Sequence, residues 1–216
     1  MPFFEYSRIE TEYLSARDRR LGDAITRIGP VQRTVDPDLF SALVNAIVGQ
    51  QISTKAQATI WGRFLTELGT VTPEVIDACT AERLQSLGIS YRKAGYIKSA
   101  ARRVCAGELD LAALHNMSDA EVCRALSSLD GVGVWTAEML MTFSMQRPDI
   151  VSFSDLAIQR GMRMLYRHRT ITRPLFEKYR KRYSPYGTVA SLYLWAIAGG
   201  ALEGVTDPAA RRRKPS

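Results

Sequence analysis

Soft metal ligands are scarce in this chain. Its 216 residues include three cysteines, Cys79, Cys105 and Cys123, and two histidines, His115 and His168. The cysteines are odd in number, far apart and without a C-x-x-C pair, which argues against a disulfide framework and against a cysteine-held zinc or iron–sulfur cluster. The histidines form no spaced ligand set. Long apolar runs are also missing: none approaches the roughly 18 residues of a membrane-spanning helix. The N-terminal stretch carries Glu5 and Glu10 and has no apolar segment of the kind a secretory leader needs. No period-2 alternation of strand length, no internal repeat and no low-complexity segment before the last residues can be found.

What is present is enough apolar material, 46% of residues, for one large or two small cores. The formal net charge is +7. Four of those charges sit in the tail Arg211-Arg212-Arg213-Lys214, which suits either a polyanionic partner or a solvated end. A second basic cluster, Lys178, Arg180, Lys181 and Arg182, alternates with Tyr179 and Tyr183.

Helical patterning runs almost throughout, so the expected fold class is all-α. Asp36-Pro37 reads as an N-cap with proline at the first helical position, followed by an apolar face of Leu39, Phe40, Leu43, Val44, Ile47 and Val48 that Gly49 ends. Ser53 caps a helix with Ala56, Ile60, Phe64 and Leu68 at i+4 spacing, stopped by Gly69. Thr72-Pro73 and Thr80 open two short helices, and another covers about Tyr91 to Ala106. Ser118-Asp119-Ala120-Glu121 is a capping box for a helix running to Leu129. Further helices are expected from Val134 and over 155–168, 173–183 and 187–199.

Two segments carry chemistry. In Leu126–Ala137 (LSSLDGVGVWTA) a helix ends, Gly131 and Gly133 flank Val132, and a new helix begins at once. Glycines there permit positive φ and close backbone approach. The amides of Gly131, Gly133 and the next helical turn can then converge on a phosphate, with Val132 packed inward. A tight αα turn with glycines present only for geometry is the other reading. Downstream, Ser154-Asp155 follows an extended stretch and opens a helical pattern. Asp155 either caps that helix or offers a carboxylate to a reaction, and the helix dipole suits both.

These segments, together with Ile47-Val-Gly-Gln-Gln-Ile-Ser53 and Tyr183–Trp195 (YSPYGTVASLYLW), resemble the helix-hairpin-helix superfamily of DNA glycosylases over roughly residues 20–200, most closely its 3-methyladenine DNA glycosylase II branch. The resemblance implies two helical subdomains with an active-site cleft between them: a six-helix subdomain at 36–142, and a second built from 1–35 plus 143–216. It implies Asp155 as the catalytic residue and Trp135, Trp195 and Met139 as base-pocket residues. Gln51 would be the wedge that fills the gap left by a flipped nucleotide. Ser53, Gly131, Val132, Gly133 and Thr136 would contact DNA, and the backbone carbonyls of Leu129 and Gly131 would be candidate holders of a sodium or potassium ion. No dissociable cofactor is implied.

The expected partner is double-stranded DNA with damaged bases, met by a monomer in the cytoplasm, or on the nucleoid in a bacterium, and not at a membrane. The expected reaction is hydrolysis of the N-glycosidic bond of alkylated purines such as 3-methyladenine and 7-methylguanine, with ethenoadenine and hypoxanthine as further candidates. Trp135 stands where strand-cutting relatives carry lysine, so no lyase step is expected. Gly187, where relatives often carry arginine, and Met139, at a position that can be aromatic, leave the base spectrum open. So do the rival readings of a glycosylase for another damaged base and a non-catalytic DNA-binding module.

Overall fold

The computed structural model describes residues 2–209; the basic tail at 211–214 lies outside them. The described residues form twelve α-helices and one 3-10 turn, with a single isolated bridge, Phe3 to Thr34, as their only β pairing. No described helix is long and apolar enough to cross a membrane. The chain divides into two compact units: Asp36–Met145, and the residues before it together with those after it.

The Asp36–Met145 unit contains α3 (Leu39–Gly49), α4 (Thr54–Leu68), α5 (Pro73–Ala78), α6 (Ala81–Ser86), α7 (Tyr91–Cys105), α8 (Asp119–Ser127) and α9 (Val134–Phe143). That is the seven helices that the helical patterning gives, one more than the six-helix subdomain implied by the resemblance. Thr80 breaks the chain between α5 and α6 and caps α6 with its hydroxyl. The unit reaches Met145, beyond the expected 142, because the Met145 N–H donates to the Leu140 carbonyl and keeps this turn with α9. The core is laid down by α3, which buries Leu39, Phe40, Leu43, Val44, Ile47 and Val48. The helix starts two residues later than Asp36-Pro37 suggested. Asp38 is the N-cap and accepts from Ser41 N at 3.0 Å, while Asp36 Oδ1 accepts from Asp38 N in a turn that places Pro37 outside the helix. Gly49 is the last helical residue, not the stop. Its missing Cβ makes room for the Gln57 amide, which would lie 2.4–2.6 Å from any Cβ there.

The other unit contains α1 (Arg8–Arg17), α2 (Arg19–Ile28), α10 (Leu156–Tyr166), α11 (Arg173–Tyr183) and α12 (Gly187–Ala198). Helix α12 is apolar on every side and buries ten residues from Gly187 to Ala198, the pattern of a central helix. Helix α10 packs against it through Gly161. The basic cluster on α11 is not a free stripe. Arg180 pairs with Asp149 at 3.0 Å, Arg182 pairs with Asp18 at 2.9 Å, and Tyr179 and Tyr183 are buried, leaving Lys178 and Lys181 exposed.

Candidate functional site

In the Asp36–Met145 unit the chain turns from α8 into α9 within residues 128–133. Leu129 and Val132 are buried beneath the turn, and the Val132 N–H donates to the Leu129 carbonyl at 3.1 Å. The two glycines serve different ends. Gly131 has φ +76°, and a Cβ there would lie 2.2 Å from the Tyr96 ring of α7, so both conformation and space demand glycine. Gly133 has φ −88°, and nothing lies within 4 Å of where its Cβ would be. Neither the backbone nor a neighbouring side chain requires a glycine at that position.

Gly133 is the N-cap of α9 and provides no capping side chain. Ser, Thr or Asp side chains cap α1 to α8, α10 and α11, and the Asp149 carboxylate takes the first N–H of α12 at 3.0 Å. An uncapped helix start behind an exposed glycine suits a phosphate oxygen. Thr136, expected among the DNA contacts, is only 7% exposed, which leaves its side chain little surface to offer a phosphate. Trp135 is 47% exposed on the first turn of α9, and Met139 follows one turn later on the same face. The Gly131 carbonyl accepts from Gln50 Nε2 at 2.7 Å and the Leu129 carbonyl from Val132 N, so a cation would have to share both with protein donors.

Gln51 follows α3 and is exposed, with φ +59°, a left-handed conformation uncommon outside glycine. The structure around it was not legible from sequence. Lys93 Nζ donates to the carbonyls of Val48 at 2.8 Å and Gln50 at 2.7 Å, and Gln57 Nε2 donates to the Asn45 carbonyl at 3.1 Å. Burial, then the neighbouring Arg92 charge, lowers the Lys93 pKa from its ordinary value. Ser53 caps α4 by accepting from Ala56 N at 3.2 Å.

In the other unit, a turn at Pro148-Asp149 leads residues 150–152 past α12, and bends at Phe153 and Ser154 bring the chain to α10. Ile150 N donates to Thr188 Oγ1 at 2.9 Å, Ser191 Oγ donates to the Ile150 carbonyl at 2.9 Å, and Gln159 Nε2 donates to the Phe153 carbonyl at 2.6 Å. The segment ends at Asp155, the N-cap of α10 and 6% exposed. Its Oδ1 accepts from Ala157 N at 2.9 Å, Ile158 N at 2.8 Å and Trp195 Nε1 at 3.2 Å. Three donors on one oxygen fix the carboxylate plane. The capping reading of Asp155 is therefore met, and it leaves room for a chemical role. Half-buried Trp195 holds the carboxylate through its indole N–H, and the Arg33 guanidinium lies 5.9 Å from its ring centroid. A cationic base stacking on this indole would share its π system with Arg33. Among the described residues no group of His, Cys, Asp and Glu could hold a metal ion.

Residues 44–185, which take in the hairpin and the Asp155 segment, match the pattern of the HhH-GPD superfamily base excision DNA repair protein. The chain belongs to this superfamily. Among its HhH-GPD relatives, DNA-3-methyladenine glycosylase 1 of Schizosaccharomyces pombe is 30% identical over 182 residues, spanning 82% of this chain and 80% of the relative. The crystal structure of a DNA-3-methyladenine glycosidase from Bacillus halodurans overlays with a TM-score of 0.84 at 37% identity, covering 93% of this chain and 94% of that one. A S. pombe 3-methyladenine DNA glycosylase solved in complex with abasic DNA gives 0.76 at 28% identity, covering 87% and 95%.

Proposed function

We propose that this chain is a monofunctional DNA glycosylase that hydrolyses the N-glycosidic bond of alkylated purines flipped out of duplex DNA. The observation that carries the reading is the Asp155 carboxylate, fixed at a helix start by two backbone amides and the Trp195 indole. Relatives named for 3-methyladenine support the substrate class.

The hairpin anchors a DNA phosphate on the uncapped start of α9, and Gln51 fills the space that the extruded nucleotide leaves. Extrusion costs a few kcal/mol, least for a damaged or poorly paired base. As the bond from C1′ to the base breaks, its electron pair leaves with the base and the sugar acquires oxocarbenium character. An alkylated purine that is cationic in DNA departs neutral. The Asp155 carboxylate stabilises the positive charge at C1′ and orients the water that adds there. The proton lost by that water passes to the carboxylate or to solvent. The exposed indole of Trp135 offers a π face to the cationic base, worth about 0.5–2 kcal/mol. A Schiff-base lyase step needs a lysine amine at the sugar, and residues 126–137 contain none.

The test is base release from methylated duplex DNA. The expected result is free 3-methyladenine or 7-methylguanine from the wild type, no release by Asp155→Asn, and no strand scission or borohydride-trapped adduct with abasic duplex. Intact duplex binding without release of any methylated, deaminated or etheno base would leave only a binding module.

A further inference from the structure

The loop bearing Gln51 and the hairpin bearing Gly131 are joined by side chains that the mechanism above does not use. Gln50 donates through Nε2 to the Gly131 carbonyl at 2.7 Å, so the residue beside the wedge is bonded to the phosphate-binding turn. The Gln50 carbonyl in turn accepts from Lys93 Nζ, which also takes the Val48 carbonyl. Both carbonyls lie at the C-terminal end of α3, where the helix dipole is negative and a cation is favoured. Behind the loop, the Gln57 amide fills the space that glycine leaves at position 49. The loop that follows contains no glycine, yet Gln51 adopts φ +59°. A non-glycine residue is held in that region only where its surroundings over-determine it.

We propose that Lys93 and Gln50 are positioning residues that lock the Gln51 loop onto the hairpin, so that phosphate capture and gap filling occur as one rigid event. The proposal deepens the base-flipping reading and rests on it. Lys93 acts through the loop and has no need to touch DNA. Its ammonium holds two carbonyls still, and Gln50 carries that order to Gly131. With the lock broken, the loop must be ordered at the moment of insertion, and part of the binding free energy is consumed there.

The experiment uses the full chain with a duplex containing a tetrahydrofuran abasic analogue and 2-aminopurine opposite it, beside an undamaged duplex of the same sequence. Insertion is read from 2-aminopurine fluorescence and affinity from titration, neither of which requires bond cleavage. For Lys93→Met and Gln50→Ala the expected result is unchanged affinity for undamaged duplex and a preference for the abasic duplex lowered about tenfold, the scale of one charge-assisted hydrogen bond. The fluorescence change should be reduced as in Gln51→Ala, and Lys93→Met with Gln51→Ala should be no worse than Gln51→Ala alone. Lys93→Arg should recover part of the loss. Gln50→Ala keeps the test open should Lys93→Met fail to fold. Equal loss on both duplexes, wild-type discrimination in either variant, or additive losses in the double variant would overturn the proposal. Base release from methylated DNA is measured separately: its absence beside intact discrimination would remove the glycosylase reading and leave the lock standing.

Discussion

At the scale of single residues, substitutions can separate the structural and chemical roles of Asp155. Asparagine caps helices as well as aspartate does. Asp155→Asn should therefore melt within about 0.5 kcal/mol of the wild type while base release falls below detection, whereas Asp155→Ala also loses the cap, about 1 kcal/mol. Equal activity in wild type and Asp155→Asn would remove the carboxylate from the reaction. The hairpin glycines allow a second contrast. Gly131→Ala meets the Tyr96 ring in a left-handed conformation and should destabilise the chain by about 1–3 kcal/mol in chemical denaturation. Gly133→Val meets open space within the protein, should cost no more than about 1 kcal/mol as an N-cap change, and should weaken duplex binding by excluding the phosphate. Unchanged duplex affinity would show that Gly133 has no phosphate beside it. The glycines and Asp155 were legible because their signals are local. The contacts that explain them were not: Trp195 reaches Asp155 across 40 positions, and Lys93 reaches Gln50 across 43. No single-sequence pattern ties residues so far apart.

At the scale of elements, α10 and α12 position the carboxylate. A Cβ at Gly161 would lie 2.2 Å from the Leu194 carbonyl oxygen, a backbone atom that cannot swing aside. Gly161→Ala should push α10 from α12 at the residue next to Trp195. It should cost about 1–3 kcal/mol and lower kcat more than it raises KM. A thermal melt and steady-state kinetics check it, and a normal kcat in the folded variant would show that the indole tolerates the shift. The helices with a strong apolar stripe or a capping signal were readable in sequence, α3, α4, α8 and α11 among them. The exceptions lie before residue 36, where the reading gives no helix: α1 buries only Leu14 but opens on a Ser7–Glu10 capping box, and α2 has the Asp18 cap with Leu21, Ala24 and Ile25 on its buried face, local signals that the reading passes over. The sequence leaves the start of α3 ambiguous, since Asp36 and Asp38 are both competent caps, and only the turn at Pro37 decides between them.

At the scale of the whole molecule, the last described residues are held by Arg163 and Asp207, whose side chains meet through Nε at 2.9 Å and Nη2 at 2.5 Å, both largely buried. Beside them Leu202 packs with Ala24, Met164 and Ile197. The Arg163 hydrogen bond holds the Asp207 carboxyl below its ordinary value, against the opposing effect of burial. A carboxyl with a depressed folded pKa contributes stability that is fully present above the unfolded value, about 3.9, and is lost as pH falls through the lower folded one. Asp207→Asn should therefore lower the melting temperature at pH 7, by roughly 2–4 °C for each kcal/mol lost, and the gap should close once pH drops below that folded value. A gap independent of pH would assign the effect to packing instead.

The Asp36 N–H donates to the Phe143 carbonyl at 2.9 Å, fastening the two ends of the Asp36–Met145 unit to each other. The ribosome releases the chain from its N-terminus, so every residue of that unit emerges before Asp155 and Trp195 do. A nascent chain should therefore acquire its grip on DNA before its means of cutting a glycosidic bond. Ribosome-bound chains halted soon after Met145 has emerged should already resist protease across Asp36–Met145, and digestion of that stretch until the C-terminus is released would show that the two units mature together.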